Sequence, residues 1–534
     1  MTLPQLIHPY DMRNIVFVAL WMVSFVVSMA QKPAYFNTRK SLGYLATVFT
    51  GVYPTDSCLY LKGEMVDSLF RSGSFFSKMD LEGNPIWTTE LIGTGKNYDF
   101  WDANILVNLA GNFIITGSLL DPEMAAFVVE IDPNGKIVRY RQYRNPFYPT
   151  EQFIVSRSLC VLKGGGYAIS GVLLGVSAQK QNVFLFKLSD TLSLEWYKLL
   201  GTTGLSKTGY VVTSDEDNNL TLGGMEYGNL GLKNIICRKE ITRLDSTGEV
   251  LWDWKDPAQP DLPPVRGWQV NDMITLPDGS IVGASAVSRE RLAANGKDAA
   301  LDKYPSFFKM NPDRTLAWET RFGNGNWGEI NHAMIRILPA SDGGGYVGTA
   351  TIAILGTMAA PYKEISVICK VSDTGDSLWM RPLYFWSDSL DDYYHKTEDM
   401  AAAPGGGYWL CGQLERQLPN EETQQGWLLR VDNYGCLSPG CQLVSASESP
   451  VEDKISIYPN PAFNYIVVHH GGHTFQKGHF SILNQQGQVV RDWVAPMDDV
   501  STVFDVSRFP AGAYVLQYRE AGGLMIVKSF VVQR

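Results

Sequence analysis

The chain has 534 residues, of which 45% are hydrophobic and 12% aromatic, and its formal net charge is −10. This length allows several domains or one large repeat array, and the apolar content excludes a disordered chain. The negative charge repels phosphate backbones, so nucleic acid is not an expected partner. The abundance of Gly, Tyr, Phe, Trp, Val and Ile favours β-strands joined by tight turns.

The first predicted element is an export signal at residues 1–30. A short basic start at Arg13 precedes an almost unbroken apolar run at 15–29, and Ser28 and Ala30 are the small residues that a signal peptidase requires. The run has 15 residues, whereas a membrane anchor needs about 20. We therefore expect a cleaved signal peptide and no transmembrane segment after its removal.

A repeated phrase follows, in which an apolar strand leads through an Asp-x-x-Gly type turn to a second strand. It occurs seven times, as FFSKMDLEGNPIW (75–87), FVVEIDPNGKIVR (127–139), FLFKLSDTLSLEW (184–196), EITRLDSTGEVLW (240–252), FFKMNPDRTLAW (307–318), VICKVSDTGDSLW (367–379) and WLLRVDNYGC (427–436). The turn positions, 83, 135, 192, 248, 314, 375 and 435, are 52 to 66 residues apart. Self-similarity at such a period indicates an array or a propeller.

Each unit divides into four short strands. The sequence GGGY, which occurs at 164–167, 343–346 and 405–408, predicts the hairpin turn between the first two strands. Glycine supplies the positive φ that such a turn demands, and the Tyr begins the next strand. The third and fourth strands are joined by the Asp-x-x-Gly turn, which is a strong hairpin signal.

A four-stranded sheet cannot bury both faces alone, but sheets packed side by side around an axis cover one another, as in a β-propeller. The predicted fold class is therefore all-β, with a propeller of seven four-stranded blades at 33–443; six or eight blades remain open because the first unit matches the pattern poorly. The seventh unit lacks a fourth strand, for which the segment 32–40 is a candidate from the other end of the chain. Recurring tryptophans of the fourth strand are expected to pack between blades, namely Trp87, Trp196, Trp252, Trp318 and Trp379.

Seven cysteines are an odd number for an exported protein. Cys436 and Cys441 flank a Pro-Gly turn, so they are a candidate local disulfide. The other five lie in apolar strand-like runs and are expected to be small buried hydrophobic side chains, namely Cys58, Cys160, Cys237, Cys369 and Cys411.

The last part of the chain differs from the repeats. A polar, turn-rich segment at 444–454 predicts a linker. After it, alternating strand patterns at 455–470, 479–493, 502–518 and 525–534 are separated by glycine turns. This spacing predicts a small immunoglobulin-like β-sandwich at 455–534.

This tail resembles the type A C-terminal sorting domain of the type IX secretion system. Asn484 stands where the family commonly has Asp, which is a mild departure. The residues that carry the resemblance are Tyr458, Pro459, Asn460, Pro461, Gly487, Gly512, Tyr514 and Lys528.

The resemblance implies export across the outer membrane of certain Gram-negative bacteria, with the type IX machinery as partner, after passage through the periplasm. It also implies removal of the tail, followed by release or by attachment to the cell surface. The propeller phrases resemble degenerate repeats of other cargoes of that system, and this looser resemblance carries no activity with it.

Three short motifs were considered as cofactor or metal sites. GNGNWG (323–328) fits the dinucleotide fingerprint in letters, but it joins two strands instead of a strand and a helix. DEDNN (215–219) begins like a calcium loop but lacks the glycine and the closing Glu, and HHGGH (469–473) lies on a turn of the tail. No cofactor, metal or catalytic residue is therefore predicted.

The loops that join the outer strand of one blade to the inner strand of the next are expected to gather on one face. They carry aromatic and acidic side chains, which suit a sugar ring or a cationic peptide group; the alternative is that they are solvated loops whose aromatic residues pack between blades. The richest loop is predicted at 389–399. Candidate ligand-binding residues are Trp101, Asp102, Trp268, Asp272, Trp327, His332, Asp391, Asp392, Tyr393, Tyr394 and His395.

These patterns favour a secreted or surface-attached binding or adhesion module for an extracellular glycan or protein. The alternative is a secreted hydrolase or lyase acting on polysaccharide or protein at the channel mouth, and a structural envelope role is a third possibility. Nucleophilic catalysis is disfavoured because the propeller has only His332 and His395 and no G-x-S-x-G elbow. A carboxylate pair for glycoside chemistry stays open, since the chain has 55 acidic residues.

Overall fold

The computed structural model describes residues 35–93, 97–100, 104–120, 124–144, 152–175, 181–201, 206–229, 235–256, 265–267, 269–292, 299–322, 333–354, 363–383, 385, 393–418, 421–437, 456–469, 479–484, 488–494, 501–519 and 525–533. All regular elements in these ranges are β-strands. None of these ranges contains a helix long and apolar enough to cross a bilayer. The predicted signal peptide and linker lie outside them, so the domain boundaries stay predictions.

The strands from Phe36 to Val431 form seven antiparallel sheets in chain order. Sheet 1 contains β2 (Ala46–Pro54), β3 (Leu59–Val66), β4 (Ser72–Met79) and β5 (Pro85–Leu91). Sheet 2 contains β6 (Tyr98–Asp99), β7 (Leu106–Val107), β8 (Phe113–Leu119), β9 (Ala125–Ile131) and β10 (Ile137–Arg144). Sheet 3 contains β11 (Gln152–Val161), β12 (Tyr167–Gly175), β13 (Gln181–Leu188) and β14 (Leu194–Leu200).

Sheet 4 contains β15 (Ser206–Ser214), β16 (Leu220–Asn229), β17 (Ile235–Leu244) and β18 (Val250–Lys255). Sheet 5 contains β19 (Val265–Gly267), β20 (Asp272–Thr275), β21 (Ile281–Leu292), β22 (Ala299–Met310) and β23 (Leu316–Arg321). Sheet 6 contains β24 (Met334–Pro339), β25 (Tyr346–Ile354), β26 (Lys363–Val371) and β27 (Ser377–Leu383). Sheets 2 and 5 have five strands because their first strand is divided in two.

Sheet 7 contains strands from both ends of this region. It is built from β28 (Tyr393–Ala402), β29 (Tyr408–Leu418) and β30 (Glu421–Val431), and its fourth strand is β1 (Phe36–Lys40). Strands β1 and β30 run antiparallel, with Phe36 opposite Arg430 and Lys40 opposite Gly426. The missing fourth strand is therefore supplied from the N-terminal side, as the sequence predicts.

Neighbouring sheets share buried apolar clusters. Phe76 of sheet 1 packs in one cluster with Ile115 of sheet 2, and equivalent clusters join each following pair. The seventh and first sheets share a cluster too, in which Trp409 lies with Phe49. Because these contacts return to their starting point, the seven sheets form a closed ring, and the predicted all-β propeller fold class is confirmed.

The turn that follows the third strand has a positive φ at the same position in every sheet. The residue at each of the seven predicted turn positions has a positive φ, and at two of them it is not glycine but Leu192 or Arg314. Asp132 shows why the turn begins with a short polar residue: its carboxylate accepts hydrogen bonds from the backbone N–H groups of Asn134 and Lys136, both at 2.9 Å. These bonds supplement the backbone hydrogen bonds of the turn, in which Gly135 N donates to Asp132 O at 2.9 Å.

The fourth-strand tryptophans pack on the turn of the following sheet. A Cβ built on Gly135 would lie 2.8 Å from the Trp87 ring, and one on Gly375 would lie 2.6 Å from the Trp318 ring. Trp196 and Trp379 contact Gly248 and Gly435 in the same way. The predicted packing of these tryptophans between blades is therefore observed at four of the five positions as a ring lying against a glycine.

The same contact is reinforced two residues later. The hydroxyl of Thr89 donates to the carbonyl of Gly135, and Thr320 donates likewise to Gly375. In sheet 3, Lys198 Nζ takes this role and donates to the Gly248 carbonyl. In the ring closure, Phe36 stands at the tryptophan position, with its Cζ 3.4 Å from where a Gly83 Cβ would lie.

The C-terminal strands form two separate sheets. One contains β31 (Ser456–Tyr458), β32 (Tyr465–His469) and β35 (Ser501–Asp505), and the other contains β33 (His479–Leu483), β34 (Val489–Val494), β36 (Gly512–Arg519) and β37 (Met525–Val532). Ile466 and Val468 of the first sheet share a buried cluster with Phe480 and Leu516 of the second. This arrangement is compatible with the predicted sandwich, whereas its immunoglobulin-like topology stays a prediction.

Two residues of the predicted sorting motif tie this domain together. The Asn460 side chain accepts a hydrogen bond from Val531 N at 2.8 Å and donates one to Ser529 O at 3.3 Å. The Tyr514 hydroxyl donates to Pro510 O at 2.8 Å. The motif therefore fixes the first strand of the domain against the last.

The cysteines largely follow the prediction. Cys58, Cys369 and Cys411 are buried free thiols, and Cys160 is a half-buried one. Cys436 is disulfide-bonded, but Cys441 lies outside the described residues, so the pairing of these two stays a prediction.

We expect Gly375→Ala to destabilise the ring more than Gly343→Ala. Both residues have a positive φ, but a Cβ on Gly343 would meet nothing within 4 Å. The Gly343 variant should therefore lose only the backbone preference, about 1 kcal/mol, and the Gly375 variant about 1–3 kcal/mol more from overpacking against Trp318. Urea unfolding of both variants measures the difference, and equal losses would contradict the contact.

The same pair can be tested by a double-mutant cycle. In a Trp318→Ala background the extra cost of Gly375→Ala should disappear, because the ring that it meets is gone. An unchanged extra cost would show that the strain arises elsewhere.

Candidate functional site

Five of the seven innermost strands carry a β-bulge at the same position. The register of β11, for example, shifts between Ser156 and Ser158, so Arg157 is the extra residue. A bulge bends the strand and re-aims a side chain. The five bulged residues are Thr50, Arg157, Tyr210, Ile335 and Glu398.

A cavity of about 210 Å³ lies where these inner strands meet. Four of the five bulged residues line it, and Arg157 lies beside it, with its guanidinium 5.5 Å from the centre of the Tyr210 ring. Because the lining comes from strands of sheets 1, 4, 6 and 7 and from the residues just before β20 of sheet 5, the cavity lies on the axis of the ring. Its lining residues are Thr50, Tyr210, Gln269, Asn271, Ala333, Ile335, Arg336, Thr351, Lys396 and Glu398.

Two charged side chains of β28 face each other in this cavity. Lys396 Nζ lies 2.8 Å from Glu398 Oε1. Burial raises the pKa of Glu398, although the Lys396 charge opposes this effect. Burial alone would lower the pKa of Lys396, but Glu398, together with Glu364 and Glu415, outweighs this effect, and the pKa is raised. The pair therefore supplies one fixed donor and one fixed acceptor.

An arc of alternating charges lies next to the cavity, formed by Asp272, Arg336, Asp399 and Lys62. Arg336 Nε donates to Asp399 Oδ1 at 2.5 Å, and Arg336 Nη1 lies 3.8 Å from Asp272 Oδ2. The arc spans sheets 5, 6, 7 and 1. At each junction between these sheets, an acidic side chain of one sheet therefore lies near a basic side chain of the other.

The acids of the arc also bind the backbone of the next sheet. Asp272 Oδ2 accepts a hydrogen bond from Ile337 N at 3.0 Å, and Asp399 Oδ2 accepts one from Val52 N at 2.9 Å. Burial raises the pKa of Asp272, and Arg336 and the backbone N–H group oppose that rise. These carboxylates therefore hold neighbouring sheets together, and their oxygens are engaged by the protein.

Lys62 completes the arc from the second strand of sheet 1. Its side chain is fully buried, and Nζ donates to Phe100 O at 2.6 Å and to Thr50 O at 3.3 Å. Gly51 leaves the space for it, since a Cβ there would lie 2.6 Å from Lys62 Cε. Burial lowers the pKa of Lys62 to about 8, although Asp399 opposes the shift.

The described lining of the cavity is predominantly polar. Glu398 is the one carboxyl group among the described residues that line the cavity, whereas glycoside hydrolysis uses a pair. Among the described residues, no group of three or more His, Cys, Asp or Glu side chains is placed to hold a metal ion. The cavity offers hydrogen-bond donors and acceptors on a rigid frame.

The structure describes few of the predicted ligand-binding residues. Trp101, Asp102, Trp268, Trp327, His332, Asp391 and Asp392 lie outside the described residues, and of Tyr393 only the backbone is described. Their role stays a prediction. Tyr394 is half-buried, and its neighbour His395 is buried, with its ring centre 5.5 Å from that of Trp427.

The predicted loop at 389–399 needs a correction. Residues 393–399 belong to β28, because backbone pairing with β29 begins at Tyr393 opposite Arg416. Asp272, also predicted on a loop, is the first residue of β20 and lies in the charged arc. Of the predicted site residues, Asp272 is therefore beside the cavity, and His395 belongs to the core.

Sequence reasoning missed Lys62, Tyr210, Arg336, Lys396 and Glu398. A signal for some of them exists in hindsight: Arg157 and Glu398 each lie ten residues before the Tyr of a GGGY turn. Aligning the seven units on that turn places the bulged residues close to one position. The bulge itself leaves no mark in the composition of the strand.

The lowered pKa of Lys62 predicts a pH-dependent stability. Between about pH 8 and the ordinary pKa of 10.5, the folded state binds fewer protons than the unfolded state, so the free energy of unfolding rises with pH. Relative to Lys62→Met, the wild type should gain up to about 3 kcal/mol across this interval. The exposed Lys136→Met is the matched control and should show no such difference. A pH-independent difference between wild type and Lys62→Met would contradict the shift.

Comparisons with known proteins bear on the two parts of the chain differently. None of the curated proteins matches this chain. Among solved structures, the β-propeller domain of the Trilobed protease from Pyrococcus furiosus is 6% identical, with 72% of this chain and 94% of that chain covered and a TM-score of 0.37. An α-L-arabinanase from Penicillium chrysogenum complexed with arabinobiose is 10% identical, with 62% and 92% covered and a TM-score of 0.39. Both TM-scores are below 0.5, and nothing about the function of this chain follows from them.

The C-terminal domain gives a specific match. Residues 456–533 match the family described as the secretion system C-terminal sorting domain. The predicted resemblance of the tail is thereby confirmed. The tail indicates export by type IX secretion to a secreted or cell-surface location, and residues 456–533 belong to the secretion system C-terminal sorting domain family.

Proposed function

We propose that the protein is an exported binding module whose propeller recognises an extracellular glycan or protein at the mouth of its axial channel. The observation that carries this proposal is the polar cavity on the axis, which is lined by strands of four sheets and by the residues just before β20. Small-molecule sites are concave and have a few converging polar groups held on a rigid scaffold. The closed ring supplies that scaffold.

Two residues predicted to bind the ligand come shortly before residues that line the cavity. The connection that carries Asp391 and Asp392 ends at Tyr393, and Lys396 and Glu398 follow on the same strand. One end of a ligand bound by these residues would therefore lie in the cavity. Loops held by rigid strands commonly carry function for this reason.

The chemistry of the described cavity lining favours binding over hydrolysis. Its single carboxyl group, Glu398, lies 2.8 Å from Lys396 and has no second acid beside it in the described lining. The nearby Asp272 and Asp399 are occupied by backbone N–H groups and by Arg336. The partner in secretion is the type IX machinery, reached through the periplasm after removal of the signal peptide.

Replacing Asp391, Asp392, Tyr393 and Tyr394 together by Ala should weaken binding by more than about 1 kcal/mol if the loop is a hot spot. Binding is measured on arrays of extracellular polysaccharides and proteins, and turnover is measured with a panel of glycoside and peptide substrates. The control replaces the exposed turn residues Glu82 and Lys136 by Ala and should bind like the wild type. Equal affinity of the two variants would refute the loop site, and turnover of any substrate would refute a pure binding module.

Deleting residues 455–534 should leave a folded propeller in the periplasm, because the sorting domain is the part that type IX secretion reads. Cell fractionation with a propeller antibody locates the protein, and resistance to a protease shows that it is folded. Normal surface delivery of the truncated chain would contradict the assigned role of the tail.

A further inference from the structure

One hydroxyl group on the cavity wall has no hydrogen-bond partner among the described residues. The hydroxyl of Thr351 is buried, with 7% of the residue exposed, and among the described residues no donor or acceptor contacts it. Burying a hydroxyl without a hydrogen bond is unfavourable, and such groups call for an explanation. In a cavity this is the position where a ligand hydroxyl or a water molecule would bind.

The charged side chains that line the cavity each lie near an opposite charge, which argues against an ion as the ligand. Lys396 is paired with Glu398, and Arg336 is held by Asp399 and lies near Asp272. An anion or a cation would gain attraction from one member of each pair and repulsion from the other. The electrostatics therefore favour a neutral molecule.

A hydroxyl group is the partner that such pairs can satisfy. It donates one hydrogen bond and accepts others, so it can accept from Lys396 Nζ and donate to Glu398 at the same time. Adjacent hydroxyls of one ring would reach the Thr351 hydroxyl and the amide of Gln269 on other parts of the wall. This combination describes a polyhydroxylated ring.

The other polar side chains of the cavity wall are held in fixed orientations by the protein. Gln269 Nε2 donates to Asn271 Oδ1 at 2.6 Å, and Asn271 Nδ2 donates to Met334 O at 2.8 Å. The Tyr210 ring is held by the Arg157 guanidinium at 5.5 Å. Preorganised amides and an aromatic ring lower the entropy cost of binding.

The size of the cavity limits what it can take. Its volume is about 210 Å³, below the range of roughly 300–1,000 Å³ that encloses drug-sized ligands. One six-membered or five-membered ring with its hydroxyls is in keeping with such a volume, and a chain of several rings is not.

We propose that the axial cavity binds one neutral sugar ring, either the terminal unit of a glycan or a free monosaccharide. This inference rests on the proposed function, since it names the ligand class of the same site. Lys396 and Glu398 hold one hydroxyl between them, the Thr351 hydroxyl binds a second, and Tyr210 lies against the ring.

The test uses the purified full chain and a panel of neutral hexoses and pentoses, their methyl glycosides and the matching uronic acids. Saturation-transfer NMR and calorimetric titration measure binding through the millimolar range. We expect saturable binding of at least one neutral sugar, and weaker binding of the corresponding uronic acid. Binding of the free sugar together with its methyl glycoside and of oligosaccharides ending in that sugar indicates recognition of a glycan end, and binding of the free sugar alone indicates a monosaccharide site.

Thr351→Val is the decisive variant, because it removes the hydroxyl and nearly keeps the shape. It should weaken binding about tenfold or more while the melting temperature stays equal or rises, since an unpartnered polar group is removed. The matched control is Thr349→Val on the same strand, whose hydroxyl donates to Val367 O at 3.0 Å. That variant should lower the melting temperature and keep the binding.

Glu398→Gln provides a second check and should weaken binding about tenfold, since hydrogen bonds to a charged acceptor are stronger than those to an amide. Absence of binding to every neutral sugar, or binding that Thr351→Val and Glu398→Gln leave unchanged, would overturn the inference. If the chain then still binds a polysaccharide or protein on the arrays, the proposed function stands and only the sugar cavity is refuted. If it binds nothing on the arrays either, both fail.

Discussion

The contact between a fourth-strand tryptophan and the glycine turn of the next sheet determines the rest of the structure. A ring lying flat on a glycine brings two sheets closer than any side chain at that position would allow, as Trp318 on Gly375 shows. The hydroxyl of Thr320 then binds the carbonyl of the same glycine. The contact recurs at four of the seven junctions between sheets, where it favours a common spacing that helps the ring to close. Phe36 takes the aromatic position at the closure, so the strand from the N-terminal side enters the ring with the same chemistry.

Closure has a consequence at the axis, where the innermost strands approach one another. The bulge in five of these strands directs one side chain of each toward the centre. The polar groups there divide into two sets by their partners. Asp272, Asp399 and Lys62 bind backbone groups of neighbouring sheets and hold the ring. Lys396, Glu398 and Thr351 line the cavity, and they are the groups proposed to recognise the ligand.

The sequence was sufficient for features that depend on local chemistry. Turn residues with a fixed φ preference, the spacing of the tryptophans and the missing strand of the last unit each leave a visible pattern, and the tail carries a specific motif. Features that depend on register were not visible: a bulge such as that at Glu398 shifts a side chain to the axis without altering the strand's composition. Asp272 is predicted on a loop between two blades, whereas in the structure it begins β20, and burial and the N–H group of Ile337 give it a structural role. The residues Trp101, Trp327 and Asp391 lie outside the described residues, so their part in binding depends on experiment.

The central claim is that the ring exists to present an axial cavity to an extracellular ligand. A crystal structure of the full chain, grown with the panel of neutral sugars at saturating concentration, tests this most directly. The account predicts electron density for one sugar ring between Tyr210 and the Lys396–Glu398 pair, with a ring hydroxyl within hydrogen-bonding distance of Thr351 Oγ1. Density for water alone in the cavity, or a sugar bound elsewhere while the cavity stays filled by water, would contradict it.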